Sequence, residues 1–376
     1  MGADIYCAIC CGPFARATVG VEQRSSVWRQ HHFRPNVDLD VVDQNLPGSA
    51  GARDQPGEGS NVASAPEDNV MDYVYSPDVI LDEVENGQVR WVRDVYLIGF
   101  DGSRAAIFGP GSHDDFSYVN MEVDLDPFGN EQECWECYTD TIQQHPSYPF
   151  HKPCYDVLAR LLSRDKEMSA GETERLYQAM RTLGEDCGVA LDLDYRLEGQ
   201  EYEQFWVVQR GKEYTVTSPA ESPAVLMHLQ SVLQKNCFRQ SSVDDASTGS
   251  LREGQDLFRN LPREILHSIV AYLENDQLPQ LLMASRQVRA ALRHDNGFWR
   301  LRIQNTMAWF FELLGYLDHH ESGVVRELDL KRVFEWANTS SKGCMGMKGP
   351  LMVVANRRRI WETACTAIQK VYHAKA

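Results

Sequence analysis

The sequence predicts an α+β fold in which a mixed N-terminal domain is followed by an all-α region. Residues 89–100 (VRWVRDVYLIGF) have the β-branched and aromatic content of a strand and precede the turn dipeptide Asp101-Gly102. Residues 171–184 (GETERLYQAMRTLG) have the pattern of a helix that ends at a glycine. From residue 256 onward, apolar residues recur at helical spacing. Strand patterns before this point and helical patterns after it indicate the α+β class.

Further elements follow the same two patterns. Residues 150–164 predict a helix, and residues 202–218 predict two strands joined at Arg210-Gly211. Beyond residue 306, we expect helices over 307–317, 330–338 and 356–372. The last of these contains three consecutive arginines at positions 357–359, and adjacent residues point in different directions around a helix. We therefore expect these arginines to be solvated.

Shifts in composition divide the chain into six parts. Residues 48–70 are rich in small and polar residues and predict a flexible loop, and residues 241–255 predict a linker. The predicted divisions are a Cys-x-x-Cys segment (1–47), the loop (48–70), an α+β domain (71–240), the linker (241–255), a helical module (256–305) and a C-terminal helical region (306–376). With 43% hydrophobic residues, the folded parts have enough apolar content for cores of their own.

The net charge of −17 argues against nucleic acid as a partner, because the phosphate backbone would be repelled. No apolar stretch approaches the roughly 18 residues that a membrane span needs, so we expect no membrane partner. The N-terminus lacks the apolar core of a signal peptide. These observations predict an intracellular protein of the cytoplasm, the nucleus or both.

The helical module has more apolar residues than a unit of its size can bury. Pro262 suits a first helical turn, and Ile265, Leu266, Ile269 and Leu273 follow it at helical spacing. A unit of roughly 45 residues is near the lower limit of independent stability. The remaining apolar residues therefore need the rest of the chain or a partner protein, and we favour a partner.

The same residues resemble a known family, the F-box proteins, over about an eighth of the chain. The resemblance rests on Leu261-Pro262-x-Glu264-Ile265-Leu266, then Ile269, Tyr272-Leu273, Leu281, Ser285-Arg286-x-Val288-Arg289 and Phe298-Trp299. In that family the module binds a Skp-type adaptor, which connects it to a cullin and a RING subunit in an SCF ubiquitin ligase. The partner-binding residues that the resemblance implies are Leu261, Pro262, Glu264, Ile265, Leu266, Ile269, Leu273, Leu281, Leu282, Val288, Phe298 and Trp299.

The resemblance implies a non-catalytic subunit that presents an unknown target protein for ubiquitination. Common catalytic motifs are missing, since the sequence has no His-Glu-x-x-His, no Walker phosphate loop and no Gly-x-Ser-x-Gly. Two alternatives stay open. The first is a scaffold that binds the Skp-type adaptor outside a ligase. The second is an enzyme whose middle domain carries no recognised motif.

Five of the ten cysteines and one histidine occur as closely spaced pairs: Cys7 and Cys10, Cys134 and Cys137, and His151 and Cys154. Such pairs are typical of zinc ligands, and a tetrahedral site takes four of the six. YCAICCGPF and YPFHKPCYDVL resemble the N-terminal region of fungal F-box proteins. This resemblance implies a structural zinc site formed by Cys7, Cys10, His151 and Cys154, with the Cys134 pair as the substitute.

Overall fold

The computed structural model has the α+β fold that the sequence predicts, with an antiparallel sheet in its first half and helices in its second. It describes residues 5–14, 19–20, 84–85, 88–113, 118–122, 132–138, 145–163, 167–184, 188–197, 206–207, 212–239, 256–275, 277–293, 295–319 and 327–374. The predicted loop at 48–70 and the predicted linker at 241–255 lie outside these residues.

A five-stranded antiparallel sheet forms the centre of the N-terminal part, in the order β7-β6-β5-β4-β8. Its strands are β4 (Val95–Phe100), β5 (Ala105–Ser112), β6 (Tyr118–Glu122), β7 (Gln132–Glu136) and β8 (Tyr148–His151). Two short pairs accompany it: β1 (Val19–Gly20) with β9 (Trp206–Val207), and β2 (Val84–Glu85) with β3 (Gln88–Val89). The apolar strand β4 lies between β5 and β8, so its backbone is paired along both edges, and four of its six residues are buried.

The helices follow the sheet along the chain. They are α1 (Lys152–Leu162), α2 (Ala170–Leu183), α3 (Pro223–Leu233), α4 (Arg263–Ala271), α5 (Leu278–Ala284), α6 (Arg286–Leu292), α7 (Asn296–Thr306), α8 (Phe311–His319), α9 (Leu330–Ser340), α10 (Leu351–Ile360) and α11 (Thr366–Ala374). A π-helical turn, Trp361–Cys365, joins the last two. No helix among the described residues combines the length and the apolarity that crossing a bilayer requires.

Local signals account for several helix ends. Helix α2 begins with a capping box between Ser169 and Glu172 and ends at Gly184, as predicted. Helix α6 begins at Ser285, whose side chain accepts the N–H of Val288 at 3.1 Å. Helices are confirmed within all three ranges predicted beyond residue 306, although the first begins at Phe311 and residues 307–310 form a turn.

Two predicted strands differ from the structure. The strand predicted over 89–100 is confirmed only for Val95–Phe100, because residues 90–94 form turns. The second strand predicted within 202–218 is wrong, since Glu213–Val216 forms a 3₁₀ helix. The hydroxyls of Thr215 and Thr217 donate to the carbonyls of Lys212 and Tyr214 at 2.9 and 2.7 Å. These local hydrogen bonds favour a turn over an extended strand.

Apolar residues collect in two cores. The first contains residues 5–14, the sheet, α1 and α2, together with Ile368 and Tyr372 of α11. The second contains apolar residues from α3 to α10. The segments that share a core therefore differ from the predicted divisions, because α3 packs with the helical part and α11 packs with the sheet part.

The three consecutive arginines are buried, so the prediction of a solvated surface is wrong. Arg357 is 0% exposed, Arg358 7% and Arg359 8%. Arg357 donates to the carboxylate of Glu312 at 2.8 and 3.0 Å and to the carbonyl of Pro219. The three guanidinium groups do point in different directions, but each one meets hydrogen-bond acceptors from another part of the chain.

Replacing the carboxylate that pairs with Arg357 tests this account of the C-terminal packing. Glu312→Gln leaves a buried guanidinium charge without a counter-charge, and we expect it to lower the free energy of unfolding by about 3–5 kcal/mol. Glu335→Gln is the control, because Glu335 pairs with Lys331 at the surface and its loss costs below about 0.5 kcal/mol. Urea denaturation followed by tryptophan fluorescence measures both. Equal losses in the two variants would contradict the account.

Candidate functional site

Cys7 and Cys10 lie in a tight turn at the start of the described chain. The N–H of Cys11 donates to the carbonyl of Cys7 at 2.8 Å, and the N–H of Cys7 donates to the carbonyl of Gly12 at 2.9 Å. Cys11 adopts a φ of 59°, in the left-handed region. The reversal of the chain places both thiols where they can reach one ion, as a Cys-x-x-Cys turn does in zinc sites.

His151 and Cys154 lie where a strand becomes a helix. His151 is the last residue of β8, is paired in register with Val95, and is the N-cap of α1. Pro153 occupies the first turn of α1, where its missing N–H removes no helical hydrogen bond. Cys154 follows His151 by three positions, close to one helical turn, so the two side chains lie on the same side.

The structure brings these two pairs together into a cluster, here called the Cys–His cluster: Cys7, Cys10, His151 and Cys154. Their ligand atoms all lie within 4.8 Å of one another, and all four residues are 0% exposed. The Sγ atoms of Cys10 and Cys154 lie 3.4 and 4.0 Å from His151 Nδ1. Ligands on one tetrahedral zinc ion lie roughly 3.3–3.8 Å apart, given bonds of about 2.0–2.3 Å. The four residues therefore can hold a metal ion after small side-chain shifts.

The backbone of the same turn orients two of these ligands. The N–H of Gly12 donates to Cys10 Sγ at 3.3 Å. His151 Nε2 lies 3.1 Å from the carbonyl oxygen of Pro13 and donates to it. This bond assigns the ring proton to Nε2 and leaves the Nδ1 lone pair facing the thiols, as a metal ligand requires.

Aromatic rings enclose the histidine of the cluster. The rings of Phe14 and Trp91 pack against the His151 ring at centroid distances of 4.7 and 4.8 Å. Trp91 is itself held by a hydrogen bond from its Nε1 to the carbonyl of Val216 at 2.9 Å. Such a shell limits access of water to a bound metal.

The three thiols of the cluster differ in acidity because they share one small space. Burial alone raises the pKa of Cys7, but hydrogen bonds with Cys10 and Cys154 and the nearby His151 outweigh it, so this pKa lies well below its usual value. Burial raises the pKa of Cys10 and of Cys154 well above the usual value. The three thiols therefore differ in how readily they lose a proton, and a bound divalent ion would favour the thiolate form of all three.

Arg359 lies close enough to the cluster to act on it electrostatically. Burial lowers the pKa of Arg359, whereas the charges of Cys10 and Cys154 oppose this decrease. A divalent ion with three thiolates and a neutral histidine has a net charge of −1. A buried guanidinium beside it offsets that charge.

The Cys134 pair does not join the cluster. Cys134 is exposed on β7. Cys137 is buried, but its Sγ donates weakly to the carbonyl of Trp135 at 3.8 Å. The geometry therefore favours His151 and Cys154 as the second pair of ligands.

The residues predicted to bind a partner fall into three groups by exposure. Leu266, Leu282, Val288 and Trp299 are buried in the second core; Leu261, Ile269, Leu273, Leu281 and Phe298 are partly buried; and Pro262, Glu264 and Ile265 are exposed. Four further exposed apolar residues of the helical module, Leu257, Tyr272, Met283 and Leu301, were not among the predicted partner-binding residues. They fall outside the buried stripes of the helices, so periodicity alone gives no reason to select them.

Asp256 also has a role that sequence reasoning missed. Its carboxylate accepts the hydroxyl of Ser285 at 2.9 and 3.0 Å and the N–H groups of Phe258 and Gln287 at 3.0 Å. These bonds, led by the one from Gln287, lower the pKa of Asp256 below its usual value. The start of the helical module is thereby fastened to the N-terminus of α6.

Comparisons with protein-family models, curated proteins and solved structures found no match to this chain. The family resemblance therefore rests on the residues of the helical module, and the metal site rests on geometry.

Metal analysis of purified variants tests the ligand set. We expect the parent chain to bind one metal ion at the Cys–His cluster and Cys10→Ser and His151→Ala to lose it, because a tetrahedral site needs all four ligands. Cys11→Ser and Cys134→Ser are the matched controls and keep the metal, since both thiols lie outside the cluster. Mass spectrometry measures the metal content of each purified protein. Loss of metal in Cys134→Ser with retention in His151→Ala would contradict the assignment.

The hydrogen bonds that the Asp256 carboxylate accepts predict that the stability of the fold depends on pH. The folded-state pKa of Asp256 lies below its unfolded value of about 3.9, so the charged carboxylate stabilises the fold fully above that pH. This stabilisation is lost as the pH falls through the folded-state pKa. We expect Asp256→Asn to lower the melting temperature at pH 7, with a difference from the parent that shrinks below about pH 4. Circular dichroism melts at several pH values measure it. Asp318→Asn, at an exposed ion pair, serves as control. A melting temperature lowered equally at every pH would contradict the role of the Asp256 charge.

Proposed function

We propose that this chain is the substrate-recognition adaptor of an SCF-type ubiquitin ligase and docks a Skp-type adaptor through residues 256–305. One observation carries the proposal: the segment that resembles an F-box is folded and yet presents apolar side chains to solvent. Leu257 is 91% exposed, Tyr272 90%, Met283 67% and Ile265 46%. Among the described residues, five of the ten exposed large apolar side chains lie within this segment, and apolar surface left in water is a candidate binding surface.

Helix α4 divides its apolar residues between two faces. Leu266 and Val270, four positions apart, are buried in the second core. Ile265, Ile269 and Tyr272 follow the spacing i, i+4, i+7 and lie on another face, which is exposed at both ends. One face therefore attaches the helix to this chain, and the other is left for a partner.

Burial by a partner would stabilise the complex. Full burial of a side chain such as isoleucine contributes about 1.5–3 kcal/mol relative to leaving it in water. On this proposal the exposed residues Pro262, Glu264 and Ile265 contact the Skp-type adaptor. The buried residues Leu266 and Trp299 instead keep the helices in the shape that the partner recognises.

The chain itself performs no chemical step in this proposal. It holds a target protein near the ubiquitin-loaded conjugating enzyme, so that a lysine of the target attacks without a separate diffusional encounter. The chemistry belongs to partners recruited through the cullin and the RING subunit. We place the chain in the cytoplasm or nucleus, where its thiols remain reduced and available to a metal.

We further propose that the Cys–His cluster binds structural zinc. Three sulfur donors and one nitrogen donor suit zinc, and four protein ligands leave no open position for water or substrate. The complete burial of the four residues supports a structural role over a catalytic one. Zinc at this place would join the first described residues of the chain to the sheet and to α1.

An exposed substitution tests the docking surface without disturbing the core. We expect Ile265→Asp to weaken binding to a purified Skp-type adaptor by about thirtyfold, the loss typical of an interface anchor of about 2 kcal/mol. Met227→Asp is the matched control, because Met227 is an apolar residue of α3 that is 64% exposed outside this segment. Calorimetry measures the affinities, and circular dichroism checks that both variants fold.

The same proteins distinguish a ligase subunit from a scaffold. The parent chain should retain a cullin as well as the Skp-type adaptor in affinity capture, and Ile265→Asp should lose both. Retention of the Skp-type adaptor without a cullin would indicate a scaffold. Equal binding by the parent and by Ile265→Asp, or no binding by either, would contradict docking through this surface.

A further inference from the structure

The three consecutive buried arginines of helix α10 differ in the groups that neutralise their charge. Arg357 and Arg358 each pair with a carboxylate, at 2.8 and 2.7 Å. Arg359 instead donates its Nε to the amide oxygen of Asn356 at 3.0 Å and its Nη1 to a backbone carbonyl at 2.9 Å. Both of these acceptors are neutral, and among the described residues its Nη2 has no acceptor. A guanidinium group that is only 8% exposed therefore requires negative charge from another source.

Arg359 is connected to the Cys–His cluster by a short series of contacts. The carbonyl that accepts from its Nη1 belongs to Tyr195, and the hydroxyl of Tyr195 donates to the carbonyl of Ala8 at 3.0 Å. Ala8 lies between the first two cysteines of the cluster. The π-helical turn that follows α10 packs against α1, and its Cys365 is 0% exposed in the same core as the cluster. The C-terminal end of α10 therefore lies beside the metal site.

Charge acts in both directions between Arg359 and the cluster. Burial raises the pKa of Cys10, and the positive charge of Arg359 opposes that rise. Burial lowers the pKa of Arg359, and Cys10 and Cys154 oppose that decrease. The cluster therefore supplies negative charge to the arginine of α10 that contacts only neutral acceptors.

The valence of a bound ion decides whether these charges balance. Three thiolates and a neutral histidine carry a charge of −3, so a divalent ion leaves −1 and a trivalent ion leaves zero. When the guanidinium is added, the buried unit is neutral with a divalent ion and has a charge of +1 with a trivalent ion. A net charge among residues that are 0% exposed is unfavourable, because little solvent is present to stabilise it.

We propose that Arg359 restricts the Cys–His cluster to divalent ions, because its fixed positive charge disfavours an ion of higher valence at the same ligands. The inference rests on the proposed metal site and adds to it a residue that is not a ligand. Arg359 acts through its electrostatic field, and Asn356 and Tyr195 hold its guanidinium group in place. The four ligands alone favour soft metal ions, and the arginine selects among these by valence.

Iron tests this proposal, since the same element at the same ligands exists as Fe(II) and Fe(III). The full chain is loaded with Fe(II) in place of zinc without oxygen, and the one-electron potential is measured by redox titration of the ferric thiolate absorbance. We expect Arg359→Met to shift the equilibrium at least tenfold toward Fe(III), a decrease of about 59 mV. Two unit charges about 12 Å apart, at an effective dielectric constant of about 20, suffice for such a shift.

Three variants separate the charge of Arg359 from its packing. Arg359→Lys keeps the charge and should keep the potential of the parent. Asn356→Asp keeps the arginine but places a carboxylate at its Nε, so we expect a lower potential. This variant decides the test if Arg359→Met does not fold, as judged by circular dichroism. Arg358→Met combined with Glu362→Gln removes a buried arginine of the same helix together with its carboxylate, and should leave the potential unchanged.

Three results would overturn the proposal. The first is an equal potential in the parent, Arg359→Met and Asn356→Asp with iron bound in each, which would leave the metal site intact and remove the role of Arg359. The second is an equal decrease in the control variant that lacks Arg358 and Glu362, which would indicate an effect of packing. The third is a chain that takes up neither zinc nor iron, which would overturn the proposed metal site together with this inference.

Discussion

The packing of residues 7–10 against the start of α1 is the constraint on which the N-terminal part depends. Cys10 and His151 lie 141 positions apart in the sequence, yet their side chains are in contact. Hydrogen bonds add to the junction, because the N–H of Ala8 donates to the carbonyl of Pro149 at 2.8 Å and the hydroxyl of Tyr195 donates to the carbonyl of Ala8 at 3.0 Å. Closing so long a loop costs only ~1.7 kcal/mol more than closing one of about 20 residues. Structural zinc contributes roughly 10–16 kcal/mol in small domains, so metal binding can readily offset the difference.

The C-terminal helices connect this junction to the helical part. Helix α10 contributes Val353 and Val354 to the second core, whereas Ile368 of α11 belongs to the first. The buried arginines occupy the region between these cores. Arg357 pairs with Glu312 of α8, and Arg359 interacts electrostatically with the thiols of the Cys–His cluster. The C-terminal helices therefore contact both cores and the Cys–His cluster.

Local features were predictable from sequence, and long-range ones were not. The end of a helix at Gly184 and the closely spaced ligand pairs each depend on residues a few positions apart, so the sequence alone indicates them. The choice of His151 and Cys154 over Cys134 and Cys137 came from a family resemblance, because spacing treats the pairs alike. Burial of the arginines depends largely on acceptors 17 to 164 positions away, which no local pattern encodes. The strand predicted at 213–216 failed for a different reason, because local hydrogen bonds of the Thr215 and Thr217 hydroxyls favour a 3₁₀ helix there.

X-ray absorption spectroscopy of the purified full chain at the zinc edge would test the metal centre most directly. The account predicts three sulfur ligands at about 2.3 Å and one nitrogen ligand at about 2.0–2.1 Å, from Cys7, Cys10, Cys154 and His151. Four sulfur ligands would instead show that a cysteine replaces His151. A shell of oxygen and nitrogen without sulfur, or protein that contains no zinc, would contradict the claim that this junction is closed by a structural zinc ion.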